Sequence, residues 1–264
     1  MTQRLPDSGF LDLVQPFTGK LTEMRAAERG FMSDVLVLIE GAKGRFFVKG
    51  VRNRAGGRRD SLIRERLIND IVRPVSPPLR WHAEDDRWLA LGFDQVEARS
   101  SRFGPGSPDL PAVLDLLVRI GEIPLPDMAA DWHETRWDAF ASDEAESQLF
   151  KGDTLIHGDM APDNLLVGVE GSWVVDWAWP TRGAAFIDPA SLVLQLISAG
   201  HTAGAAEDLV SQCPGWSKSD PRGIDAFAEA NLRMLRRRAE RSPEHAWLRA
   251  MEATAQAWVG HRLG

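Results

Sequence analysis

Hydrophobic and polar positions are cleanly ordered in only a few stretches of the chain, and those stretches mark its elements. Residues 34–40 form a β-branched run bounded by acids, Asp34-Val35-Leu36-Val37-Leu38-Ile39-Glu40, which predicts a strand. Gly41-Ala42-Lys43-Gly44 carries turn chemistry, and residues 45–51 form a second strand, so the pair predicts a hairpin. Leu62, Ile63, Leu67, Ile68, Ile71 and Val72 then recur at helical spacing. Asp60 or Ser61 can cap this helix, and Pro74, Pro77 and Pro78 end it. Residues 88–93 read as another buried strand. The order strand, strand, helix, strand suits a small α+β lobe on an antiparallel sheet. Residues 1–30 show no clean period, because Pro16 interrupts the apolar residues between Phe10 and Phe17.

The sharpest change in composition is Arg102-Phe103-Gly104-Pro105-Gly106-Ser107-Pro108, and the domain boundary is placed just before it. The division is 1–93 and 94–264, with a hinge at about 91–95. Residues 109–121 are helical, and a second helix is expected over 127–150. Short strands occupy 154–158, 164–169 and 172–179. After Asp188-Pro189 the pattern is helical, at roughly 189–199, 202–212, 222–241 and 244–262. The second lobe is therefore mainly helical, with a small β insertion.

Bulk composition narrows the function classes. The 264 residues suffice for one large core or two modest ones. The longest aliphatic run, 35–39, is far short of a membrane span, and the first seven residues lack an apolar signal core. A single cysteine, Cys213, excludes an internal disulfide and makes the cytoplasm the simplest location. A formal net charge of −7 argues against a nucleic-acid partner, which requires a basic face. Only five of the 31 basic side chains are lysines, so a lysine inside an apolar strand stands out.

The polar loop between the strands at 154–158 and 164–169 holds His157, Asp159 and Asn164 at the spacing H-x-D-x-x-x-x-N. Twelve residues beyond Asn164, the strand Trp173-Val174-Val175 leads into Asp176. A carboxylate base, an amide oxygen and a second carboxylate, emerging from neighbouring strands, are the groups needed to deprotonate a hydroxyl and hold magnesium with ATP. The spacing alone recurs by chance; the apolar strands around it and the placement of Asp176 give it weight. His157 next to Asp159 also suggests a zinc ligand, but no second His or Cys lies at ligand spacing nearby, so a structural bond within the loop is favoured. Lys49 follows Val48 on its strand and faces the other side. Glu65, sixteen residues on, is placed to pair with it and aim it at nucleotide phosphates. The alternatives are an edge-strand lysine at the surface and a solvated Arg64-Glu65-Arg66 face.

These residues together resemble the aminoglycoside phosphotransferase family, small-molecule kinases with a protein-kinase-like fold. The likeness rests on His157-Gly158-Asp159 through Asn164, on Val174-Val175-Asp176-Trp177, and on Phe47-Val48-Lys49 with Glu65. It implies a bilobal α+β fold, with a small antiparallel-sheet N-lobe carrying one key helix and a larger helical C-lobe. It further implies ATP and magnesium, with Asp159 as base, Asn164 and Asp176 on the metal and Lys49 on the phosphates. By the same likeness Asp188 braces the catalytic loop, with a helix N-cap as its simpler role. Leu91-Gly92-Phe93-Asp94 would be the hinge that meets adenine, and Gly30-Phe31-Met32-Ser33-Asp34 the turn over the phosphates. Ala161 replaces the catalytic-loop lysine of serine/threonine protein kinases, and Trp177-Ala178 replaces their Phe-Gly. Eleven residues separate Asp176 from Asp188, too few for a peptide platform, so the acceptor is a small hydroxylated molecule. Aminoglycosides are its default; another metabolite or a silent nucleotide-binding module are the alternatives. The acids Asp127, Asp131, Glu134, Asp138, Asp143, Glu144 and Glu146 read as a solvated helix face before they read as a polyamine site. Among the tryptophans, Trp179 is the best candidate to line the site.

Overall fold

Seven elements build the early part of the chain in the computed structural model, which describes residues 6–27 and 33–264. They are α1 (Ser8–Thr18), β1 (Leu21–Ala26), β2 (Val35–Gly41), β3 (Gly44–Arg52), α2 (Gly57–Val72), β4 (Leu79–Glu84) and β5 (Trp88–Asp94). The strands form one antiparallel sheet in the order β1-β2-β3-β5-β4. Strict alternation gives the sheet two apolar faces. Val35, Val37, Ile39, Val48 and Ala90 pack with Phe10 and Val14 of α1 on one face. Val51, Leu89, Leu91 and Phe93 pack with Leu62 and Ile63 of α2 on the other.

The sequence reading missed α1, β1 and β4. In α1 the residues Phe10, Val14 and Thr18 are buried one turn apart, but Pro16 lies inside the helix on its exposed side and reads as a breaker. In β4 the alternation is correct, yet it follows directly on Pro77-Pro78. The predicted cap at Asp60 or Ser61 is also corrected. The helix starts a turn earlier after Gly56, and Asp60 lies in its first turn, where the helix dipole favours a carboxylate.

Gly92 is fixed by close packing. A Cβ there would lie 2.1 Å from the indole of Trp81, whose ring also stacks on Phe17. Gly92→Ala should therefore lose about 2 kcal/mol of stability to overpacking, measured by urea unfolding. Adding Trp81→Phe should return part of that loss.

The chain divides into two compact units. One extends to Glu97 and includes Val175–Trp179; the other comprises Ala98–Val174 and Pro180–Gly264. The second contains β6 (Ala98–Ser100), α3 (Leu110–Gly121), α4 (Glu144–Gln148), β7 (Thr154–Ile156), β8 (Leu165–Gly168), β9 (Ser172–Val174) and β10 (Thr181–Gly183). Helices α5 (Ile187–Ser198), α6 (Ala203–Val210), α7 (Pro214–Ser217), α8 (Pro221–Arg241) and α9 (Ala246–Leu263) follow. Phe227 of α8 is fully buried and meets the rings of Trp137, Phe150 and Phe186. Among the described residues no helix is long and apolar enough to cross a membrane.

Two expectations fail in this unit. Residues 127–150 are not one helix but two single 3-10 turns and the short α4. His133 instead forms a parallel bridge with Arg182; the Glu134 amide donates to the Arg182 carbonyl and the Arg182 amide to that of Trp132. These long-range bonds replace the helical ladder that the local spacing suggested. The three short strands also do not share one sheet, since β7 pairs with β10 whereas β8 pairs with β6 and β9.

Candidate active site

Lys49 lies on the α2 side of β3, and its ammonium joins two carboxylates. Nζ donates to both Glu65 oxygens at 2.7 and 3.0 Å and to Asp176 Oδ1 at 2.7 Å. Lys49 and Glu65 are buried, whereas the Asp176 side chain is 46% exposed. Burial disfavours the ammonium, but Asp176 and Glu65 outweigh it and raise the Lys49 pKa. Burial pushes the Glu65 carboxyl up against the pull of Lys49, and the Trp177 amide also donates to it. The surface alternatives for both residues are thereby excluded. Lys49→Met should cost about 3 kcal/mol, because Glu65 stays buried beside Asp176 without its cation. A further Glu65→Leu should restore most of that, as thermal melting of the three chains would show.

Asp176 is the only non-glycine residue with positive φ (65°) among those described. That left-handed turn costs about 1 kcal/mol and is tolerated best by Asn and Asp. It also ends the strand early: β9 stops at Val174, not at 179 as expected. Beyond it, Trp177 is buried, and Trp179 is 37% exposed under the Arg64 guanidinium, 5.2 Å from its ring.

In the other unit, the loop after β7 is held by its backbone. Asp188 is buried in the first turn of α5; one carboxylate oxygen accepts from the His157 amide at 2.9 Å and the other from the Gly158 amide at 2.7 Å. Burial pushes the Asp188 carboxyl up, against the pull of the His157 ring and both amides. It lies inside the helix behind the cap residue Phe186, so bracing is its geometry and N-capping is not. The Asp159 amide donates to His157 Nδ1 at 3.2 Å, and Asn164 Nδ2 donates to the Asp159 carbonyl at 3.2 Å. His157 Nδ1 is thus engaged within the loop. The Asp159 carboxylate is exposed. Because the Asn164 bond uses the amide NH2, Oδ1 is the other prong of that side chain.

The remaining predicted residues are placed differently. Gly92 and Phe93 lie inside β5, between β3 and β4, so their backbone groups belong to a strand with partners on both sides. A central strand is not an open hinge. The Phe93 ring centre is 6.0 Å from Lys49 Nζ. Gly30, Phe31 and Met32 lie outside the described residues. Ser33 stands just ahead of Asp34, whose amide donates to the Gly50 carbonyl and whose carboxylate accepts from Arg58 and the Arg52 amide. Asp34 thus ties the end of β3 to the start of α2.

Sequence reasoning missed one cluster at the loop. Glu134, assigned to a solvated helix face, is 1% exposed and accepts from Arg136 and Thr181. Arg136 in turn donates to the Gly158 carbonyl. The available signal was Glu134-Thr135-Arg136 set between Trp132 and Trp137, a poor composition for an exposed helix face.

No protein-family profile matches the chain, and no curated protein sequence matches it. Solved structures do. Aminoglycoside 2'-phosphotransferase-IIIa in its GDP complex is similar with a TM-score of 0.60 at 11% identity, over 96% of this chain and 98% of that one. Choline kinase LicA from Streptococcus pneumoniae has a TM-score of 0.58 at 9% identity, over 96% of this chain and 100% of that one. Macrolide 2'-phosphotransferase MphH from Brachybacterium faecium has a TM-score of 0.54 at 16% identity, over 95% and 97%. The chain has the protein-kinase-like fold of these small-molecule kinases. At such identities the likeness defines the fold alone.

Proposed function

We propose that the protein is a magnesium-dependent O-phosphotransferase that moves the terminal phosphate of ATP to a hydroxyl of a small molecule, as an aminoglycoside phosphotransferase-like enzyme of the cytoplasm. The observation that carries this reading is the buried Lys49–Glu65 pair joined by the half-exposed Asp176, gathered from positions up to 127 residues apart. A strand lysine paired with a helix glutamate, beside an aspartate able to hold metal, is the arrangement that steadies nucleotide phosphates in this chemistry.

Lys49, oriented by Glu65, serves the ATP phosphates. Asp159 accepts the proton of the attacking hydroxyl, and its exposed carboxylate on a braced loop suits that role. Asn164 and Asp176 would hold magnesium, which supplies neutralisation of the phosphate charge. Their amide and carboxylate oxygens fit a hard cation, which takes one or two carboxylates together with phosphates and water rather than an all-protein cage.

The acceptor is tested directly. Purified protein with magnesium-ATP is incubated with aminoglycosides, nucleosides, amino alcohols and cell extract, and a phosphate gain is sought by mass spectrometry. Amino alcohols stand beside aminoglycosides because a choline kinase matches the fold as fully as an aminoglycoside enzyme does. Phosphate on one small molecule supports the reading. ATP binding without transfer to any compound would make the protein a silent nucleotide-binding module, and phosphate appearing only on protein would make it a protein kinase.

A further inference from the structure

The peptide bond that leads into Asp159 is held at both ends. Its N–H donates to His157 Nδ1, and its C=O, that of Gly158, accepts from an Arg136 terminal nitrogen at 3.2 Å. Arg136 is itself held firmly. Its Nε meets both Glu134 oxygens at 2.9 Å, one terminal nitrogen meets a Glu134 oxygen, and that nitrogen lies 3.3 Å from Thr181 Oγ1. The Thr181 hydroxyl donates to the same carboxylate at 2.6 Å, and the Arg136 amide donates to it at 2.7 Å. The guanidinium lies 5.0 Å from the Trp137 ring centre.

Gly158 makes this approach possible. Its φ is +77°, and a Cβ there would lie 2.0 Å from the guanidinium. Any side chain at 158 would displace Arg136 as well as strain the backbone. The position between His157 and Asp159 thus carries no side chain, and a guanidinium from 22 residues upstream occupies that space.

We infer that Arg136 is a positioning residue for phosphate transfer, acting through the Gly158 carbonyl to fix the plane from which the Asp159 carboxylate projects. This rests on the reading of Asp159 as the base. Asp188 holds the two amides before that plane, and Asn164 holds the carbonyl after Asp159. Arg136 supplies a link that sets the plane's rotation from the carbonyl side. Glu134 serves it by orienting the fork. Burial works against its charge, and the Arg136 bonds outweigh that, holding the carboxyl below its usual value.

The test uses Arg136→Lys, which keeps a cation for Glu134 but cannot form the same planar fork, together with Arg136→Gln paired with Glu134→Gln, which removes both charges. Transfer from magnesium-ATP to the acceptor found in the screen is read as ADP release, alongside melting temperature. Both variants should lower kcat about ten- to a hundredfold, as misplacement of a catalytic group does, with KM for ATP unchanged. In an Asp159→Asn background Arg136→Lys should have no further effect. A wild-type kcat for Arg136→Lys, a rise in KM for ATP without a fall in kcat, or losses that multiply with Asp159→Asn would each overturn the inference. If Asp159→Asn itself keeps the wild-type rate, the base assignment fails and the inference with it. A slow Asp159→Asn beside a fast Arg136→Lys removes only the inference.

Discussion

Replacing Asp159 by Asn should slow phosphate transfer by about two to four orders of magnitude while leaving nucleotide binding intact. The amide nearly matches the carboxylate in shape, and the bonds that hold the loop use the Asp159 backbone, its N–H to His157 and its carbonyl to Asn164. The substitution therefore removes a proton acceptor without loosening the loop. Single-turnover rates with saturating magnesium-ATP measure the chemical step, and calorimetric titration with ATP measures binding. An unchanged rate would remove Asp159 from the mechanism.

The second large effect belongs to Asp188. Asp188→Asn should destabilise the protein by about 2–4 kcal/mol, although the two side chains are nearly isosteric. Both carboxylate oxygens accept a backbone N–H, from His157 and from Gly158. An asparagine has one acceptor, so its NH2 would face one of those donors at a buried site. Leaving a buried donor unsatisfied costs about 1–3 kcal/mol, and bonds to a charged acceptor are worth more than neutral ones. The same change frees the backbone ahead of Asp159, so transfer should slow about a hundredfold. Urea unfolding and the transfer rate check the two parts separately. A stable protein with a slow rate would show that bracing matters for chemistry alone.

Local patterns carried far in some parts of the chain. The hairpin 34–51, the strand 88–93 and the C-terminal helices α5, α6, α8 and α9 are legible, because each buries an apolar face whose spacing is complete within one element. Pairing Lys49 with Glu65 was also legible, since a buried ammonium demands a counter-charge and the next helix offers one. Elements whose partners are distant were not. Residues 131–137 are shaped by bonds to Arg182 and Thr181, and nothing within their own sequence announces those partners. A helix is expected over 127–150 with its acids on a solvated face, but Glu134 is buried. The family likeness puts a hinge at Leu91-Gly92-Phe93-Asp94, but Gly92 lies in a central strand covered by Trp81.

The sequence by itself supplied the candidate residues, Lys49, Glu65, Asp159, Asn164, Asp176 and Asp188, together with most of the strand and helix patterns that carry them. Those are properties of side-chain chemistry and of spacing along the chain. Only the tertiary structure decided that Val175–Trp179 packs with the first unit, so that Asp176 shares the Lys49 ammonium with Glu65. It alone set Asp176 in a left-handed turn and placed Arg136 against Gly158. Such contacts join residues tens of positions apart, and their strength comes from burial and from directional bonds. Neither leaves a periodic trace in the amino-acid order.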